Sequence, residues 1–135
     1  MNDHQMLQQR RAKHALQSVQ NIGDSFDPDT GDEYKRWADK LASIIVNAGL
    51  GQACALLLSK GNDKSAGTFQ MYSHLQQWLT SSAYRSPYRD DDDLIEAIVS
   101  HDQESYLHAQ AEALAWLEWT KKFANAFLSE AEATP

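Results

Sequence analysis

Apolar residues recur at alternating spacings of three and four along much of this 135-residue chain, and this spacing restricts its fold more than any other feature. One such series is Tyr34, Trp37, Leu41, Ile44 and Ala48. Residues three or four positions apart share one face of an α-helix, whereas a half-buried strand needs strict alternation. Only six glycines and three prolines are present, which disfavours a turn-rich β fold. The sequence therefore predicts an all-α protein.

The periodic segments predict a compact bundle of about five to six helices. We place these helices at about residues 3–22, 30–48, 50–60, 66–81, 94–99 and 102–131. The last helix would be roughly 45 Å long at 1.5 Å per residue. The third is apolar throughout its middle, so it should contact neighbours on more than one side and lie centrally.

Several residues predict where these helices begin and end. Gly23 should end the first helix and Gly49 should cap the second in the left-handed conformation. The sequence Thr30-Gly-Asp-Glu33 has the form of a capping box, so it should open the second helix. Asp91 and Asp92 precede the fifth helix, where negative charge favours the positive end of the helix dipole.

The length of the chain indicates a single helical domain spanning residues 1–135, large enough to bury one core. The longest apolar run, residues 53–58, is far shorter than the roughly 20 residues that a membrane span requires, and no signal sequence is recognisable. The single cysteine, Cys54, sits in an apolar segment and should be a buried thiol. We expect a soluble cytoplasmic protein without membrane contact.

The charge balance, 19 acidic against 12 basic residues, opposes nucleic-acid binding by the chain as a whole. Nine of the carboxylates, however, fall in two segments predicted to be loops, around residues 24–33 and 90–93. A local basic face therefore remains possible. The candidates for phosphate contact are the helical cations Arg36, Lys40, Lys60, Lys121 and Lys122. The alternative is that they are ordinary solvated helix surface.

Two metal-site patterns are incomplete in this sequence. A calcium loop with Gly31 at its sixth position would need a carboxylate where Phe26 stands. The dipeptide His101-Asp102 occurs in metal-dependent HD phosphohydrolases, which also need a preceding His and a later Asp. His74 could supply the histidine, but no aspartate follows Asp102. We therefore expect no metal or other cofactor.

The sequence also lacks a recognisable pairing of a catalytic nucleophile with a base. The R-x4-6-H motif of the helical HEPN ribonucleases is missing, because Arg10 and Arg11 precede His14 by only four and three positions. Cys54 lies in surroundings too apolar to favour a thiolate. The sequence therefore predicts a protein without catalytic residues of its own.

Trp119 does not fit the apolar face of the last helix. It lies roughly opposite Leu117 and beside Trp116 and Phe123, so one face cannot accommodate all four side chains. Either the helix is packed from two sides, or Trp119 contacts another subunit.

In the order of several of its segments, the sequence resembles the small helical subunit of the type III-B CRISPR effector, the Cmr complex. The similarity runs from about residue 34 to residue 128. The segments that carry it are Tyr34-x-x-Trp37-x-x-x-Leu41, Asn47-Ala-Gly-Leu-Gly-Gln-Ala-Cys54, His74-Leu-x-x-Trp-Leu79 and Glu112-Ala-Leu-Ala-Trp-Leu-Glu-Trp-Thr-Lys-Lys-Phe-Ala124.

This resemblance implies a non-catalytic subunit in an RNA-targeting complex of antiviral defence. Its partners would be the other Cmr subunits, including the backbone subunit and further copies of itself, and the target RNA paired to the crRNA. Two alternatives stay open. One is a helical adaptor unrelated to CRISPR. The other is a small helical nuclease, which the incomplete HD and R-x4-6-H motifs disfavour.

Overall fold

The computed structural model describes residues 3–61 and 63–128, and this part of the chain contains helices and no strands. The helices are α1 (Asp3–Ser25), α2 (Pro28–Ala48), α3 (Leu50–Lys60), α4 (Gly67–Leu79), α5 (Leu94–Ser100) and α6 (Gln103–Phe127). The predicted all-α bundle with a long last helix is thereby confirmed. Residues 129–131, the predicted end of the last helix, lie outside the described residues.

The helices α1 and α2 form an antiparallel pair, and α6 lies against both. Arg11 of α1 meets Glu112 early in α6, and Gly23 near the end of α1 lies beside Leu128 just after α6, so these two helices run parallel. Asp39 of α2 accepts a hydrogen bond from Asn125, at the opposite end of α6 from the junction of α2 and α3. The helix α6 is therefore packed on two flanks.

The apolar core lies where α2, α3 and α4 meet beneath α6. Its fully buried members include Leu41, Ile45, Leu50, Cys54, Leu57, Met71, Leu75 and Trp116. The central position predicted for α3 agrees with its packing against α2, α4, α5 and α6. No helix in the described residues is long and apolar enough to cross a membrane.

The first helix does not end at Gly23, as the sequence predicted, but continues to Ser25. An added β-carbon at Gly23 would lie 3.5 Å from Leu128, which is ordinary contact distance. A glycine inside a helix costs only about 1 kcal/mol relative to alanine, so tertiary packing overrides it. Gly49, by contrast, does end α2 with φ 95° and ψ 157°. Its positive φ was expected, but its ψ is extended rather than left-handed helical.

The capping box predicted at residues 30–33 is also wrong. Asp27 caps α2, because its carboxylate accepts a hydrogen bond from the Thr30 amide at 2.9 Å, and Pro28 occupies the first turn. Glu33 instead accepts a 2.6 Å hydrogen bond from the amide of Gly67 at the start of α4. A β-carbon on Gly67 would lie 2.7 Å from the Tyr34 nitrogen, so only glycine permits this approach of α4 to α2.

The buried faces and acidic segments also differ in detail from the prediction. In α2, Ala38 and Ile45 are buried, whereas Ile44 is half-buried and Ala48 is exposed. Asp93, rather than its predecessors, caps α5 by accepting from the Glu96 amide. Of the presumed acidic loop at residues 24–33, most positions belong to α1 or α2. Its carboxylates lie on these helices, except that of Asp27, which caps α2.

Candidate interaction surface

The five cations predicted to contact phosphate are all exposed, but they do not form one cluster. Arg36 donates to Asp32 one turn earlier at 2.6 Å, so part of its charge is already neutralised. The ammonium of Lys40 lies 4.3 Å from the centre of the Trp37 ring, a cation–π contact. Lys60 ends α3. These positions leave Lys40 and Lys60 free of carboxylate partners among the described residues.

Lys121 and Lys122 are neighbours in sequence but lie on different flanks of α6. Asn125, one turn after Lys121, accompanies it on the flank that meets α2, where its amide donates to Asp39 at 2.8 Å. Lys122 lines a groove of about 280 Å³ on the flank that meets α1. Successive residues point about 100° apart on a helix, which accounts for the separation. The pair therefore reaches both edges of α6.

Trp119 lies in the groove between α1 and α6, half-buried beside Lys122. Its ring stacks on Phe123, with centroids 5.7 Å apart, and Phe123 stacks on Phe127 at 6.1 Å. This aromatic row follows one edge of α6 and becomes more exposed towards Phe127, whose exposed fraction is 61%. The two-sided packing suggested for this helix is confirmed, and contact of Trp119 with another subunit stays a prediction.

A buried ion pair between α1 and α6 lies next to this groove. Arg11 donates to both carboxylate oxygens of Glu112, at 2.6 and 2.9 Å, and both side chains are buried. The Trp78 indole donates to the same carboxylate at 2.8 Å. The charged groups are thus paired and hydrogen-bonded, as burial of charge requires. The partner Glu112, which is distant in sequence, explains the burial of Arg11.

Two histidines extend the polar contacts of α1. The Trp116 indole donates to His14 Nδ1 at 2.9 Å, so this nitrogen must be unprotonated. His74 bonds the Tyr34 hydroxyl at 2.9 Å and Asn21 at 3.3 Å. Burial lowers the pKa of both imidazoles, and burial together with the smaller effect of nearby His14 lowers that of His74 to about 4. Both are therefore neutral structural groups near neutral pH.

The arrangement of possible ligands does not complete an HD site. His74 is engaged with Tyr34 and Asn21, while exposed His101 faces Asp92 at 3.6 Å. No group of three His, Cys, Asp or Glu side chains that could hold a metal ion occurs among the described residues. Burial, together with the nearby charge of Asp93, raises the pKa of the Cys54 thiol to about 12, which disfavours a nucleophilic thiolate.

Comparison with known proteins relates this bundle to one family. A family model described as CRISPR-associated protein (Cas_Cmr5) matches residues 7–127. The CRISPR system Cmr subunit Cmr5 of Thermus thermophilus is 36% identical over 100 residues, which are 73% of this chain and 77% of that protein.

The fold is similar as well. A crystal structure of a CRISPR-associated Cmr5 family protein from Thermus thermophilus superposes with a TM-score of 0.71 at 30% sequence identity. The superposition covers 90% of this chain and 97% of that one.

Proposed function

Since the chain belongs to the Cas_Cmr5 family, and so is a subunit of the type III-B CRISPR Cmr complex, we propose that it is a non-catalytic building block of that complex. In this role it stacks against the backbone subunit and further copies of itself in the cytoplasm, and helps to hold target RNA paired to crRNA. The family match over nearly the whole described chain supports this role above the adaptor and nuclease alternatives.

The exposed cations support the RNA part of this proposal. Lys121 and Lys122 lie on different flanks of α6, and Arg36 and Lys40 lie on the exposed side of α2. Such side chains neutralise phosphates without reading bases, which suits a protein that handles RNA of any sequence. The net charge of −7 opposes binding by a free monomer, whereas several copies held along one strand act at high effective concentration.

The half-buried Trp119 supports the assembly part. Tryptophan is enriched among the residues that dominate binding energy at protein interfaces. Its exposed edge, continued by Phe123 and Phe127, offers a neighbouring subunit an apolar contact in a groove whose other lining residues are mostly polar.

The decisive experiment compares two double variants in the assembled complex. Lys121→Ala with Lys122→Ala removes the proposed contacts, and Lys13→Ala with Lys64→Ala removes the same charge at two exposed positions elsewhere. We expect only the first variant to weaken binding of unrelated target sequences equally. Its salt dependence, the slope of log affinity against log salt, should fall by about 0.7–0.9 per lost phosphate contact. Equal behaviour of the two variants would remove Lys121 and Lys122 from the RNA path.

A further inference from the structure

A second basic cavity lies beside α1, separate from the groove that contains Trp119. It is a cavity of about 450 Å³ between the first turns of α1 and the segment joining α4 to α5. Its lining consists of Met6, Leu7, Arg10, Tyr84 and Arg85, and we call it the arginine pocket. Residues 6, 7 and 10 of α1 line this cavity, whereas residues 8 and 11 line the groove.

The walls of the arginine pocket are held in place by contacts inside the protein. One guanidinium nitrogen of Arg10 donates to the Ala83 carbonyl at 2.6 Å. The neighbouring Tyr84 ring stacks on Trp78, with centroids 4.1 Å apart and planes inclined by 12°. The Tyr84 hydroxyl donates to the Trp78 carbonyl at 2.9 Å. The segment that carries Arg85 is thus anchored beside Arg10 before any ligand arrives.

The two arginines of the pocket differ from Arg11 and Arg36, which are paired with carboxylates. Arg11 is neutralised by Glu112, and Arg36 by Asp32. Neither Arg10 nor Arg85 has a carboxylate partner within the described residues, and no acidic side chain described here lines their cavity. Two like charges held together in a protein of net charge −7 create a local site for an anion.

We propose that the arginine pocket binds a phosphodiester group of an RNA strand. Guanidinium groups present several donors in a planar fork that matches phosphate oxygens. Arg10 uses one of these donors in its hydrogen bond to the Ala83 carbonyl. The pocket and the groove with Lys122 are lined by different residues of α1. The inference rests on the proposed role of the protein in holding RNA, and it adds a contact that is independent of Lys121 and Lys122.

Two measurements test the proposal. In the assembled complex, Arg10→Ala with Arg85→Ala should weaken binding of target RNA about tenfold, the effect of losing one charged hydrogen bond. It should also flatten the salt dependence. A control variant, Arg89→Ala with Lys64→Ala, loses the same charge at exposed positions outside the pocket and should bind normally. With the isolated full chain, the arginine side-chain NMR signals of Arg10 and Arg85 should shift when single-stranded RNA is added.

A charge-conserving variant distinguishes loss of the phosphate contact from loss of the fold. Arg10→Lys with Arg85→Lys should retain the salt slope while losing part of the affinity, because lysine contacts phosphate as a point charge. Thermal unfolding of each variant verifies that the bundle remains intact.

Several outcomes would overturn the proposal. The first is unchanged RNA affinity and salt slope in the alanine variant. The second is loss of assembly with normal RNA affinity in the complexes that do form, which would make the pocket a contact for an acidic protein segment. The third is NMR shifts with inorganic phosphate but no effect on RNA binding, which would indicate a small phosphorylated ligand.

The experiment also separates this inference from the proposed function. If only the variant lacking Lys121 and Lys122 loses RNA affinity, the arginine pocket is excluded and the proposed RNA path stands. If only the variant lacking Arg10 and Arg85 loses affinity, the pocket is the RNA contact and the lysine pair is not.

Discussion

The two halves of the interior are stabilised by different chemistry. Where α2, α3 and α4 meet, most of the fully buried side chains are apolar, with Ile45, Leu57 and Leu75 among them. Where α1 meets α4 and α6, apolar Ala15 and Val19 are accompanied by a polar seam formed by Arg11, His14, His74, Trp78 and Glu112. We call the first region the apolar junction.

The comparison shows how differently the two regions should tolerate change. In the apolar junction each side chain contributes separately, roughly in proportion to the apolar area that it buries. In the polar seam a single carboxylate, Glu112, serves both Arg11 and Trp78. Its removal leaves a buried charge and a buried donor unsatisfied at once. The seam should therefore be the more fragile region.

The largest effect is expected for Glu112→Ala. This change should lower the free energy of unfolding by about 3–5 kcal/mol, because it leaves the Arg11 guanidinium buried without a counter-charge. Urea unfolding followed by circular dichroism measures it. Glu118→Ala, an exposed position on the same helix, serves as control and should change stability by less than about 0.5 kcal/mol. Equal stabilities of the two variants would contradict the importance of the seam.

Leu57→Ala tests the apolar junction in the same assay. Leu57 is fully buried, so its truncation should cost about 2–5 kcal/mol through lost burial and the cavity left behind. The cost should not depend on pH, since no titrating group is removed. Val46→Ala, whose parent side chain is 68% exposed, is the matched control and should cost little. A loss below about 1 kcal/mol for Leu57→Ala would show that this region repacks easily.

Acidification should weaken the seam selectively through His74. Its pKa is about 4 in the folded protein, below the ordinary value of 6.5. The unfolded chain therefore binds this proton first, and stability present above pH 6.5 is lost as the pH falls towards 4. Between about pH 7 and 4.5 we expect a loss of about 2–3 kcal/mol from this group.

His74→Gln should flatten that pH dependence, whereas His108→Gln, at an exposed position, should preserve it. A residual slope from His14 is expected in the first variant, because burial lowers its pKa in the same direction. Parallel curves for the parent protein and His74→Gln would show that His74 does not carry the effect.

Trp119→Ala should affect stability less than the changes at Glu112, Leu57 and His74. Truncating a fully buried tryptophan to alanine lowers the free energy of unfolding by about 3–5 kcal/mol. Because Trp119 is only half-buried, Trp119→Ala should lower it by about 1–2 kcal/mol. Co-purification with the other Cmr subunits should be weakened more clearly than folding. Phe127→Ala, at the exposed end of the same aromatic row, should cost less stability. Unimpaired assembly of Trp119→Ala would remove this residue from the subunit contact.

The apolar junction was largely predictable, and the polar seam was not. Leu41 and Leu57 reveal their burial by helical spacing among apolar neighbours, a local property of the sequence. Arg11 gives no such signal, since an arginine on an amphipathic helix is usually solvated. Its burial depends on Glu112, which lies 101 positions away. The basic candidates were correctly placed on the surface, but Arg10 and Arg85 were overlooked because the fold alone brings them together.

The sequence by itself determined the number and order of the helices, the end of α2 at Gly49 and the family to which the chain belongs, because periodicity, backbone freedom and segment order are properties of the chain itself. Only the tertiary structure decided that Glu33 caps α4 rather than α2, that Arg11 is buried and that Lys121 and Lys122 reach different flanks of α6. The physical reason is that a polar group is stable wherever a partner satisfies it, and such partners are supplied by segments distant in sequence.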